Sequence, residues 1–346
     1  MASIILAGDV NLMNVADAGV PFRRVADRFA AADLVFCNLE CCLYEAPGAD
    51  AVEVEGFFAD PVVAGQCLTS AGIAAVGLAN NVNYGSEPIL GSIARLDALG
   101  IAHTGAGADR TSAAAPAIVE RGGIRVGFLA RSSVYWATNH EATAKSAGIA
   151  VIRGHTAYHV PMHKMKREVP PLNRPGIPPY ILTWADADYL KRFAEDVVAL
   201  RPKVDLLVAS CHWGLHKDVL AYMTEIAHAA IDAGADVVIG HGPHYSLGIE
   251  VYKGRPIFHG LGSFSFHTGH GGHAHGDWIG MMAKLDAGNG GVTRAAFEFV
   301  RHNAANETVV CDLAAEAAEY ADIAARSAAM GAVLRAEGNE VVVALR

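Results

Sequence analysis

The sequence predicts an α/β fold, and three observations predict it. Short β-branched or apolar runs alternate with helical stretches, the pattern of strand–helix units. Hydrophobic residues make up 52% of the 346 residues and charged residues 18%, so the chain can bury a large core. Polar and histidine side chains collect just past the carboxyl ends of the predicted strands, where open α/β sheets bind ligands.

The elements follow in order. Residues 3–8 (SIILAG) read as a strand that stops at Asp9, and 34–37 (LVFC) as a second that stops at Asn38. A helix over 60–71 leads to a strand over 73–78. The next helix, 88–99, has Pro88 at its first position and Gly100 as its stop. Residues 124–130 (IRVGFLA) form a strong strand. The second half continues with an amphipathic helix over 186–200, strand 204–211, helix 217–233 capped by Gly234, and strands 236–240 and 256–259. Two segments break the rhythm. Residues 155–182 hold six prolines and the basic run KMKR, which reads as a long irregular insertion of the lid or binding-loop kind. Residues 267–276 (HTGHGGHAHG) form a Gly/His loop. The Ala-rich tail, 312–336, reads as helix, with a terminal strand over Val341–Leu345. One domain over 1–300, carrying both loops, is therefore expected, with 301–346 as a helical extension packed on it.

Composition excludes several classes of function. With 36 acidic against 27 basic residues the net charge is −9, which argues against a nucleic-acid binder. The most apolar runs are strand-length and fall well short of the roughly 20 residues of a membrane span. MASIILAGDVNL lacks the basic start of a signal peptide. Cys37, Cys41, Cys42, Cys67, Cys211 and Cys311 show no C-x-x-C spacing, so they read as reduced thiols of a cytoplasmic protein. The expected partner is a small-molecule or peptide-like substrate, with neither nucleic acid nor membrane; self-association into a homo-oligomer stays open.

The residues at the strand ends have the chemistry of a metal site. Asp9 and Glu40 offer anionic oxygens, Asn11 and Asn81 carbonyl oxygens, and His212, His241 and His244 imidazole nitrogens. Mixed N/O ligation without thiolates suits Mn²⁺, Zn²⁺, Fe²⁺ or Mg²⁺, one ion or two. Blander readings stand beside this one. Asp9 could serve an Asx-turn, Asn80–Asn81 could be turn chemistry, and His212 beside Trp213 could be a satisfied core histidine.

Six motifs in chain order carry a resemblance. G-D-V-N (8–11), N-L-E (38–40), L-A-N-N (78–81), H-W-G (212–214), G-A-D-V-V-I-G-H-G-P-H (234–244) and P-I-F-H-G-L-G-S-F (256–264) together resemble the capsule-synthesis CapA family. That family is associated with poly-γ-glutamate and is similar to the calcineurin-like metallophosphoesterases. The resemblance spans about residues 3–285. It implies a four-layer α/β/β/α sandwich and a dinuclear metal centre held by Asp9, Glu40, Asn81, His212, His241 and His244. Asn11 stands where the wider superfamily usually has a histidine. Val82 takes the place of the histidine that helps protonate the reacting group in phosphoesterases.

That departure turns the expected activity toward a metal-dependent hydrolase of an amide (C–N) bond, acting on a carboxylate-bearing substrate. His212, His244 and His270 are the expected catalytic groups. Arg131, whose planar fork matches a carboxylate, is an expected substrate contact with His267 and Trp213. Other acid candidates are His273 and His275 in the Gly/His loop and His155, His159 and His163 in the insertion. A phosphoesterase, an epimerase or isomerase of a peptide-like substrate, and a non-catalytic accessory protein of capsule synthesis remain as alternatives.

Overall fold

A computed structural model describes residues 1–46, 56–136, 140–160, 175–176, 178–266, 268–269, 278–288 and 290–345. Its architecture is mixed α/β, built on two main sheets. The larger has ten strands. Its parallel part runs Ala2–Asn11, Leu34–Leu39, Ala75–Gly77 and Ala102–Thr104. On the other side of Ala2–Asn11, antiparallel strands Gly280–Gly288, Gly291–His302 and Glu340–Val343 extend it to an edge at Leu334–Glu337. The smaller sheet has six strands. Its four central strands, Arg255–Phe258, Val237–His241, Leu206–His212 and Ile124–Ser132, are parallel.

Period-2 alternation divides each strand between two apolar clusters. Ile4, Leu6 and Phe36 of the large sheet join Phe128, Val208 and Ile239 of the small one in a shared cluster. Phe36 and Phe128 stack across it with centroids 4.4 Å apart. The alternate residues Ile5, Val35 and Val76 pack instead with Leu68 of helix Pro61–Ser70 and Leu96 of helix Ser86–Leu99. Leu129, Leu207 and Val238 pack with Val197 of helix Ala187–Leu200 and Ile226 of helix Ala221–Ala233.

Most boundaries match the sequence reading, and the glycine stops behave as expected. Gly100 and Gly234 end their helices in the left-handed region, at φ 68° and 119°. Three differences have physical causes. Helix Ser86–Leu99 starts before Pro88 because proline is tolerated throughout a first turn, where its missing N–H costs nothing. The 155–182 insertion is not wholly irregular: Gly154–His159 and Tyr180–Ala185 pair as an antiparallel ribbon. The C-terminal extension is only partly helical. Helix Ala317–Ala329 is followed by the hairpin Leu334–Glu337/Glu340–Val343, which turns at Gly338 (φ 64°) and completes the large sheet. Alanine-rich composition suggested helix to 336, whereas the Gly338–Asn339 turn and the Val341–Val343 run favour a hairpin.

Candidate metal centre

The face between the two sheets is apolar along most of each strand and turns polar at the carboxyl ends. Leu34 and Phe36 are followed on that face by Asn38 and then Glu40; Leu206 and Val208 by Ser210 and His212; Val237 and Ile239 by His241. Asp9 does not obey this alternation. With Ile5 and Ala7 it belongs by parity to the outer face. An irregularity in the pairing at Gly8–Asp9 re-aims it inward. Gly8 makes the irregularity possible, because a Cβ there would lie 1.9 Å from the Gly262 carbonyl oxygen.

Asp9 is fully buried and sits at the middle of the group. Its Oδ1 accepts from Asn38 Nδ2 at 2.8 Å and lies 3.5 Å from His241 Nδ1. Its Oδ2 accepts from the Gly242 N–H at 3.1 Å and lies 3.3 Å from His244 Nδ1. His244 Nε2 is 3.8 Å from Glu40 Oε1. Two sets of donor atoms result, each within 4.8 Å: Asp9, His212 and His241, and Asp9, Glu40 and His244. One carboxylate belongs to both.

Protonation states fit cation binding. Burial pushes the pKa of His212 down to about 3 and of His241 to about 4, so both rings are neutral near pH 7, as a metal ligand must be. Burial opposes ionisation of Asp9, but the hydrogen bond with His244 and the nearby His241, His244 and His212 outweigh it and hold its pKa well below the usual range. Above the histidine pKa values the fixed donors, the Asn38 amide and the Gly242 N–H, sustain that anion. Burial first, and the Asp9 charge second, push Glu40 well upward. Glu40 Oε2 is buried without a hydrogen-bond partner. A buried, orphaned carboxylate oxygen beside another carboxylate is costly unless a cation faces it.

The rings are also aimed. Ser210 Oγ lies 2.8 Å from His241 Nε2, and Asn81 Oδ1 lies 2.7 Å from His212 Nε2. If each Nε2 carries the proton, both Nδ1 atoms present lone pairs to the same space. They are 3.0 Å apart, the spacing of neighbouring ligands around a cation with bonds of about 2.1 Å. Ser263 Oγ lies 3.3 Å from His244 Nδ1.

The structure brings Asp9, Glu40, Asn81, His212, His241 and His244 together, but separates other expected residues from them. The Asn81 oxygen meets the His212 ring. The amide of Asn11 is engaged elsewhere: its Oδ1 accepts from the Met13 N–H at 2.9 Å and its Nδ2 donates to the Thr268 carbonyl at 2.6 Å. Arg131 faces away, on the outer side of its strand with Leu129. There Nη2 meets Asp196 at 2.5 Å and the guanidinium lies over Phe193. Trp213 is fully buried in the outer cluster and donates to the His259 carbonyl at 2.8 Å, so it offers no face to a substrate. His155 pairs with Asp186 at 3.0 Å. His163, His267, His270, His273 and His275 lie outside the described residues.

Sequence reading missed Ser210 and His140. Ser210 was legible from parity, two residues before His212. His140 had no such signal. It is fully buried beside Tyr84, with Nε2 at 2.9 Å from the Asn83 carbonyl and Nδ1 accepting from the Trp136 N–H at 3.0 Å. It braces the loop that carries Asn81, and Val82 on that loop is buried in the apolar cluster.

Fold and site together define an α/β protein with a carboxylate–imidazole cluster able to hold divalent cations between two sheets. The chain belongs to the bacterial capsule synthesis protein family PGA_cap, whose model matches residues 3–268. A protein named "Probable polyglutamine synthesis accessory protein" in Mycobacterium tuberculosis is 32% identical over 204 residues, 57% of this chain and 46% of that protein. An uncharacterized protein of Sinorhizobium fredii is 27% identical over 287 residues, 71% of this chain and 61% of its own length. The PGA biosynthesis protein CapA of Bacillus subtilis is 36% identical over 99 residues, 28% of this chain and 24% of its own. The chain thus spans about half the length of the first of these relatives. A solved structure, a hypothetical protein from Thermus thermophilus, aligns with 87% of this chain and 100% of its own at TM-score 0.47 and 14% identity. No helix among the described residues is long and apolar enough to cross a membrane.

Proposed function

We propose that this chain is a metal-dependent hydrolase cleaving an amide (C–N) bond in a small or peptide-like, carboxylate-bearing substrate. The observation that carries the reading is the sharing of Asp9 between two donor groups. His212 and His241 would hold one divalent ion with Asp9, and Glu40 and His244 a second. The donor set suits Mn²⁺, Zn²⁺, Fe²⁺ or Mg²⁺. Ions bound there supply Lewis acidity and lower the pKa of water to near neutrality. The protein's own part is orientation. Ser210 and Asn81 fix the two imidazoles, Asn38 and Gly242 fix the carboxylate, and the apolar clusters below keep the local dielectric low. His244, whose side chain is 25% exposed where those of Asp9, Glu40 and His241 are buried, would meet a substrate. Val82 in place of the expected histidine favours an amide over a phosphoester.

A helix/sheet/sheet/helix layering fits the three separate apolar clusters. Six cysteines outside any disulfide fit a cytoplasmic protein. The name of the mycobacterial relative favours one other reading, a non-catalytic accessory protein of polymer synthesis that keeps the cation site for structure. Elemental analysis of purified protein, followed by a panel of glutamyl amides and peptides, separates the two. Hydrolase function requires bound divalent metal and turnover, both lost in Asp9→Ala. Bound metal with no cleavage of any amide supports the accessory role, and a metal-free protein in metal-replete buffer sinks both.

A further inference from the structure

A groove of about 440 Å³ lies on the outer side of the small sheet, away from the carboxylate–imidazole cluster. Helix Ala187–Leu200 forms one wall, along which Tyr189, Phe193, Asp196 and Leu200 recur every three or four residues. At 1.5 Å per residue that stripe is about 16 Å long. The facing wall is helix Arg110–Ala114 with the residues that follow it. Three apolar clusters meet on the floor. Ile149 belongs to the first, Leu129, Phe193 and Leu200 to the second, and Ala113 to a third made of alanines alone. Side chains of one methyl group are too short to span the space between the helices, so the clusters do not close on one another. The volume falls in the range of small-molecule sites, and the floor is apolar as theirs are.

Charge selects the ligand. Three acids line the groove, and each already has a cation: Glu141 meets Arg153 at 2.7 Å, Glu195 meets Lys191 at 3.9 Å and Asp196 meets Arg131 at 2.5 Å. Of the four lining cations Arg131 alone is so engaged. Arg110, Arg192 and Lys203 on the rim are exposed and pair with no acid among the described residues; the Arg192 guanidinium lies over the Tyr189 ring. Three uncompensated cations above an apolar floor, in a chain of net charge −9, favour a ligand with an anionic head and an apolar body. A long floor between alanine walls fits an extended chain. We propose that this groove binds a single-chain amphiphilic anion, its acyl or alkyl body along the floor and its carboxylate or phosphate head on the rim cations. The site is separate from the proposed metal centre and does not rest on the hydrolase reading.

Calorimetric titration of the full chain tests this with four probes. Decanoate and decyl phosphate should each saturate a single site, and the tighter of the two identifies the head. Acetate, a head without a body, and decyltrimethylammonium, a body with the opposite charge, should bind at least about tenfold more weakly. Arg192→Gln/Lys203→Gln, on the exposed rim, should weaken both anions at least about tenfold. Ala199→Trp adds bulk at an exposed lining position and should abolish binding. Asp9→Asn should bind the anions like wild type. Unchanged melting curves of the rim variant keep the comparison sound. No saturable binding of either anion overturns the proposal, as does equal binding of decyltrimethylammonium or wild-type affinity in both groove variants. Binding lost in Asp9→Asn and kept in the groove variants assigns the anions to the metal centre and also overturns it.

Discussion

Gly8 and Asp9 show how one residue without a side chain aims its neighbour. The Asp9 N–H donates to the Gly262 carbonyl at 3.0 Å, and that carbonyl occupies the space a Gly8 Cβ would need. Gly8→Ala must push the two segments apart. It should cost about 2 kcal/mol or more in urea unfolding and also reduce bound metal, because Asp9 rotates with the backbone. Ser210→Ala should act differently. It frees the His241 ring without opening the core, so divalent-ion affinity should fall by about 10–100-fold by titration calorimetry while the melting curve of chelated protein barely moves. His140 gives a pH signature. Burial lowers its pKa from 6.5 to about 4, so between those values the unfolded chain binds a proton that the native one refuses. Its contribution to stability is complete above about pH 6.5 and is lost as pH falls toward 4, at most about 3 kcal/mol. His212 and His241 act in the same sense, so the informative quantity is a difference. Denaturant midpoints of chelated wild type and His140→Gln should diverge least at pH 4 and most at pH 7.

At the scale of the element, parity decides which side chains meet. Alternation along Leu206–His212 and Val237–His241 made both terminal histidines legible as a convergent pair, and Asn38 and Glu40 follow the same rule from Leu34–Leu39. Asp9 was legible only as a strand-end acid. The pairing irregularity that turns it inward depends on a carbonyl more than 250 residues away, which no local pattern reports. Arg131 shows the converse. It sits at the end of a predicted strand, as the site residues do, yet it is one residue out of phase with Ser132, which pairs with His212, and so it faces the outer helices. The exposed ribbon was hidden by its prolines, which suggest a loop although they lie outside the paired strands. Arg131→Met should therefore leave bound metal and any turnover at wild-type levels. It should cost about 2 kcal/mol of stability, because it strips the Ala130 and Ala114 carbonyls and Asp196 of their donor. A selective rise in KM would instead return Arg131 to the substrate.

For the whole molecule, the proposed cation site is a junction. Asp9 and Glu40 come from the large sheet, and His212, His241 and His244 from the ends of the small one. Below them the sheets meet through apolar side chains. At the polar end the carboxylates and imidazoles depend largely on each other, and Glu40 Oε2 has no hydrogen-bond partner among the described residues. A cation bound by the folded chain alone stabilises it by mass action, about 4 kcal/mol when free metal is a thousandfold above its Kd. Chelation should lower the thermal midpoint by several degrees, and added Mn²⁺ or Zn²⁺ should restore it. In Asp9→Asn, which keeps the shape and removes the shared charge, chelator and metal should move the midpoint little. Because the proposed ligands bridge the sheets, amide exchange in chelated wild type should rise at 38–41 and 210–214 before it rises in the strand centres. Uniform exchange along those strands, with a midpoint insensitive to chelator, would mean that apolar packing alone joins the two sheets.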